Sequence, residues 1–204
     1  MRWLLLVGAL RMLLRASSKC DTHLPTIFWL TKKIWMCEKG ICLVRIGNYK
    51  HRIDVADGYA RIATDDEQAA LVLEVAGKYR QATYFLVQAM EKFVRAKIFS
   101  LVNPNIEYFR ERNRSHSLED AIEFLVEIVS KNNSTVEQQV KNQLHQHVLG
   151  DTQYNQLHNN VRYPIFLKKH DSYSILEVGM EDCAILKNRL ASLKLFLNEL
   201  HRFN

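Results

Sequence analysis

Residues 64–102, TDDEQAALVLEVAGKYRQATYFLVQAMEKFVRAKIFSLV, decide the fold of this chain. The stretch opens on Thr64-Asp65-Asp66-Glu67, the Thr-x-x-Glu form of a capping box, with three acids where a helix N-terminus favours negative charge. It closes before Asn103-Pro104, because proline cannot continue the hydrogen-bond ladder. Between these signals Val72, Val75, Tyr79, Ala82, Leu86, Ala89, Phe93 and Ala96 recur at alternating steps of three and four, which places them on one face of a helix. The spacing predicts a single helix, roughly 58 Å long at about 1.5 Å per residue. An element of that length can organise a small domain.

A second stripe, Gln81, Tyr84, Gln88, Glu91 and Arg95, runs along the same segment. One reading is a solvated face supported by a Glu91 to Arg95 pair at i,i+4. The other is one wall of a ligand groove. Periodicity alone does not choose between them.

The chain has 204 residues, of which 48% are hydrophobic, enough for one ordinary domain with a real core and an appendage. Its formal charge of +6 points toward nucleic acid until the charges are placed along the chain. Residues 1–63 hold eleven Lys and Arg against four acids, a balance of +7, whereas 64–204 hold seventeen against eighteen, or −1. All three tryptophans and three of the four cysteines also lie in the first 63 residues. This shift predicts a boundary near Ala63, with a basic extension at 1–63 and the main domain at 64–204.

The extension is expected to be short, irregular or partly β. Residues 1–18 resemble an export signal only superficially, since Arg11 and Arg15 interrupt an apolar run too short to span a bilayer. They read as an amphipathic leader or as residues upstream of the true start, and the protein is expected in the cytoplasm and not in a membrane. Ile41-Cys42-Leu43-Val44-Arg45-Ile46 has strand-like content, and Gly47-Asn48 and Asp57-Gly58 are turn signals. Cys37 and Cys42 lack the second pair that a metal site needs, and reduced thiols are the expectation.

Beyond Pro104, residues 103–116 read as a polar loop carrying Arg110, Arg112 and Arg114. Ser117, with Asp120 three residues on, begins a second helix that buries Leu118, Ile122, Leu125, Val126 and Val129. Ser134-Thr135-Val136-Glu137 is a further capping box, opening a third helix broken at Gly150-Asp151 and resumed by Tyr154, Leu157 and Val161 up to Pro164. Residues 165–180 read as a loop. Glu181-Asp182 opens a last helix with the seam Cys183, Leu186, Leu190, Leu193, Leu197 and Leu200. The predicted class is all-α, an antiparallel four- to five-helix up-down bundle.

Signatures of phosphate-binding loops, dinucleotide folds, nucleophile elbows and zinc proteases are missing from the sequence. His145 and His147, two apart on a helix, point in different directions, so no metal is expected. Other residues form an ordered pattern: Ala82-x-Tyr84-Phe85-x-x-Gln88-Ala89-x-Glu91-Lys92-x-x-Arg95-Ala96, then Ser115-His116-Ser117-Leu118, then Arg162-Tyr163-Pro164, then Asp182-x-Ala184. Over about residues 66–203 this set resembles the HEPN (higher eukaryotes and prokaryotes nucleotide-binding) family.

The resemblance implies a helical bundle, a homodimer, and a nucleotidyltransferase partner protein. It implies a nucleotide such as ATP or GTP as ligand, with no other cofactor, and nucleotide-binding residues at Gln88, Glu91, Lys92, Arg95, His116, Arg162 and Tyr163. In such a site Lys92, Arg95 and Arg162 would pair with phosphate charge, and Tyr163 would offer a stacking face. In the alternative account Pro164 stops a helix, Tyr163 packs between helices, Arg162 pairs with an acid, and His116 marks the start of the second helix. Another branch of the family consists of metal-independent endoribonucleases of toxin–antitoxin type, carrying an Arg followed four to six residues later by His. Arg110 and His116 meet that spacing and would be the catalytic pair acting on RNA, the His as general base and the Arg stabilising charge on phosphorus. A third reading is a helical protein–protein interaction module. Leu71, Phe85 and Phe99, flanking the long apolar stripe, add surface that favours self-association.

Overall fold

Asp54, not Thr64, caps the helix that holds Thr64. In the computed structural model, which describes residues 47–200, the Asp54 side chain accepts from the backbone N–H of Asp57 at 2.9 Å and α1 runs Val55–Val75. Thr64 lies inside this helix, its hydroxyl donating to the Ala60 carbonyl at 2.9 Å, so the capping-box sequence does not act as a cap. Asp57-Gly58, a turn signal by composition, is also helical, and Gly58 is buried where a Cβ would meet Ile53 Cδ1 at 3.1 Å. Ala63 is thus an interior helix position, and the compact unit begins upstream, at His51. The leader and the strand-like segment 41–46 lie outside the described residues.

The single long helix of the sequence reading is two helices. Gly77, at φ +69°, ends α1 as a Schellman motif: its N–H bonds to the Glu74 carbonyl at 2.9 Å and that of Lys78 to Leu73 at 2.8 Å. The chain reverses there, and α2 (Tyr79–Leu101) returns antiparallel, pairing Lys92 with Asp66 and stacking Phe99 on Tyr59 at 5.8 Å. Val72 and Val75 therefore do not continue the seam of α2; they are 70% and 91% exposed.

After α2 come α3 (Glu107–Arg112), α4 (Leu118–Ser130), α5 (Ser134–Gln143), a π-helical turn at Leu144–Leu149, α6 (Tyr154–Asn160) and α7 (Met180–Glu199), of which α4, α6 and α7 pack on α2. The Ser117 cap of α4 is present, donated to by the Asp120 N–H at 3.3 Å. Asn133, one residue before the expected Ser134, caps α5. The segment 165–180, expected as a loop, holds an antiparallel hairpin of β1 (Ile165–Leu167) and β2 (Ser172–Ser174), with Phe166 opposite Tyr173. The polar loop after Pro104 contains α3. The described chain is mostly helical, as an all-α protein requires.

The core joins Leu86, Met90, Val94 and Ile98 of α2 to Phe124 and Leu125 of α4 and to Leu190 and Leu193 of α7. The predicted seam of α7 is buried throughout, Cys183 included as a free thiol. Glu67–Lys194 at 2.8 Å and Glu74–Lys187 at 2.7 Å hold α7 antiparallel to α1. No helix among the described residues is long and apolar enough to cross a membrane.

Two buried polar groups inside this packing, the Thr83 hydroxyl and the Lys97 ammonium, have no hydrogen-bond partner among the described residues. Lys97 is 6% exposed, and burial pushes its pKa below the ordinary 10.5. The folded state thus binds the proton less tightly than the unfolded chain, and its deficit is recovered as pH rises from the lowered value toward 10.5. Lys97→Met keeps the stem and removes the charge. Denaturant unfolding at pH 7 is expected to show a gain of roughly 1 kcal/mol, shrinking at alkaline pH.

Candidate functional site

Beyond Gln81, which is exposed, the polar stripe of α2 is not a solvated face. Glu91 and Arg95 are buried, Arg95 to 2% exposure, and Arg95 Nε donates to Glu91 Oε1 at 2.9 Å. The rest of the Arg95 guanidinium is turned to the segment before α4. Nη1 donates to the Asn113 carbonyl at 3.1 Å and to its side-chain oxygen, and Nη2 to the Ser115 carbonyl. Asn113 in turn donates to the Tyr59 hydroxyl at 2.9 Å, and Ser115 to Asp120. Arg95 and Glu91 therefore form a clamp that fixes the approach to α4, and Arg95 has no free fork for a ligand.

One turn away the stripe opens toward α6. The Tyr84 ring lies against the His158 ring, centroids 5.2 Å apart and planes within 20°. Gln88 Nε2 meets His158 Nε2 at 2.9 Å, and Gln88 Oε1 accepts from Lys92 Nζ at 3.1 Å. Lys92 also donates to Asp66 of α1. Arg162, just past the end of α6, sets its Cζ 5.8 Å from the Tyr84 centroid and 4.9 Å from that of Tyr163, and Nη2 donates to the Tyr163 hydroxyl at 2.9 Å. Tyr163 is 54% exposed, and Arg162 is exposed without a carboxylate partner among the described residues.

Four of the residues singled out in the sequence, Gln88, Lys92, Arg162 and Tyr163, thus meet where α2 and α6 pack. His116 does not join them. It stands exposed before α4, and Arg110 is exposed on α3, with no hydrogen bond or ion pair between them. Of the alternative account, Pro164 does follow the end of α6, while Tyr163 is more than half exposed and Arg162 bonds to its hydroxyl and to no acid among the described residues.

His158 is the central residue that periodicity passed over. It lies in a polar stretch, Asn155 to Asn160, and its one signal is the four-residue step to Arg162, which places both on one side of a helical turn. Burial lowers its pKa from 6.5, the neighbouring Arg162 and Lys92 charges act in the same direction, and Glu91 and Glu119 oppose them. The imidazole is therefore biased to its neutral form. Among the described residues no three His, Cys, Asp or Glu side chains gather in a way that would hold a metal ion.

Together the patch offers a cation, two aromatic faces and a hydrogen-bonding ring, a combination suited to an anion carried on a planar group. Compared with protein-family models, curated proteins and solved structures, the chain matches none.

Proposed function

We propose that this chain is a HEPN-like domain, an antiparallel helical bundle of the cytoplasm that binds a nucleotide such as ATP or GTP, or a partner bearing one, at the face shared by α2 and α6. The reading is non-catalytic, with a nucleotidyltransferase as partner protein and self-association through the apolar groups α1 leaves exposed, Leu71, Val72 and Val75, rather than through Phe85 and Phe99, which pack into the core. What carries it is Arg162, an exposed guanidinium laid across the rings of Tyr84 and Tyr163 with no acid among the described residues to neutralise it. Such a group pairs with phosphate while the adjoining ring stacks on a base.

The test is a thermal melt with ATP and with GTP. A ligand that binds only the folded state stabilises it by about 2.7 kcal/mol at a hundredfold excess over Kd, so a clear rise in melting temperature is expected. Arg162→Glu should remove that rise and leave the unliganded melt unchanged, since the side chain is exposed. No shift with either nucleotide would defeat the reading and leave an interaction module. Metal-free cleavage of single-stranded RNA that depends on both Arg110 and His116 would replace it with the ribonuclease reading.

A further inference from the structure

The hydrogen-bond chain from Asp66 to His158 has only one direction. Lys92 carries an ammonium, which can only donate, so the Gln88 atom facing it must be the carbonyl oxygen. The amide nitrogen of Gln88 then faces His158 Nε2 at 2.9 Å, and an amide nitrogen can only donate. His158 Nε2 must be the bare, accepting nitrogen, and the ring proton of neutral His158 must sit on Nδ1. Protonation of both nitrogens would set an N–H donor against an NH2 donor.

Nδ1–H is therefore a donor of fixed direction, and among the described residues the ring's hydrogen bond is the one its Nε2 makes with Gln88. His158 lies against the same Tyr84 ring as Arg162, four residues further on. We infer that the His158 Nδ1–H and the Arg162 guanidinium form a two-donor phosphate subsite on the Tyr84 ring, with His158 held in its Nδ1–H tautomer by the Asp66–Lys92–Gln88 chain. This rests on the nucleotide reading and specifies which end of the nucleotide the α2–α6 face holds. A neutral donor beside one fixed cation suits a phosphate oxygen, and Tyr163, the second ring against Arg162, is left to the base.

Long-range 1H–15N correlation spectra of the full-length protein report the tautomer without any ligand. His158 is expected as Nδ1–H, and finding the proton on Nε2 overturns the inference at once. Titration with ATP, and separately with inorganic triphosphate, should then move the His158 Nδ1 proton with both probes. His158→Phe keeps a ring against Tyr84 and removes the donor, and is expected to weaken ATP binding about ten- to hundredfold. His158→Asn, whose amide nitrogen can take the Nδ1 place, should recover part of it. Wild-type ATP binding that is lost in Arg162→Glu but unchanged in His158→Phe overturns this subsite and leaves the nucleotide reading standing. Triphosphate binding that shifts His158 without any binding of ATP supports the subsite and defeats the nucleotide reading; no binding of either probe defeats both.

Discussion

Replacing Arg95 with alanine is expected to cost about 3–5 kcal/mol of folding stability, the scale for removing one partner of a buried ion pair. The loss comes from two places. Glu91 keeps its charge in a buried position with its cation gone, and the carbonyls of Asn113 and Ser115 lose the donor that holds them. Against a total of about 5–15 kcal/mol for an ordinary domain, that is a large fraction, and it should appear as a marked drop in the urea midpoint. Arg95→Lys should recover little, because a single ammonium cannot serve Glu91, Asn113 and Ser115 at once. Arg95→Met combined with Glu91→Leu removes both charges and should regain the part of the loss due to Glu91, leaving the part due to the Asn113 and Ser115 carbonyls. If Arg95→Ala instead unfolds at the wild-type midpoint while nucleotide binding fails, Arg95 is a ligand residue and the clamp assignment is wrong.

That outcome bears on how much of the site was legible in the sequence. Steps of three and four correctly gathered Tyr84, Gln88, Glu91 and Arg95 on one side of a helix, but periodicity says which residues share a face and not what covers it. Here α6 and the segment before α4 cover it, so Glu91 and Arg95 are structural while Gln88 and Lys92 border the open patch. His158 was invisible for the same reason: its meaning comes from a contact seventy residues away along the chain. The apolar seams of α4 and α7 were readable because one-sided burial is written in composition. The α1–α2 hairpin was not, because the apolar steps happen to stay in phase across a turn. Gly77 was the local sign, and its left-handed backbone with two Schellman bonds outweighs a pattern that treats it as one more helical position.

The start of the domain gives the second large effect. Composition placed a boundary near Ala63, yet a chain beginning there would lack the first eight residues of α1 together with the Asp54 cap. It would lose the Tyr59 ring from Phe99 and the Tyr59 hydroxyl from Asn113, the same Asn113 that Arg95 holds. Loss of a cap and of a large packed aromatic amounts to the order of 3 kcal/mol or more, and it falls on the clamp as well as on the core. What remains of α1 still has Asp66, Glu67 and Glu74 to pair with Lys92, Lys194 and Lys187, so helix content should persist while cooperative packing weakens. A chain beginning at His51 retains every one of these groups. The expected result is that the His51 chain melts in a sharp, full-amplitude transition and the Ala63 chain melts lower and more broadly, with reduced dispersion of its amide proton signals. Equal melts would mean that the first turns of α1 contribute nothing to the fold and that composition had found the true edge. Failure of both chains would instead assign part of the core to residues before His51.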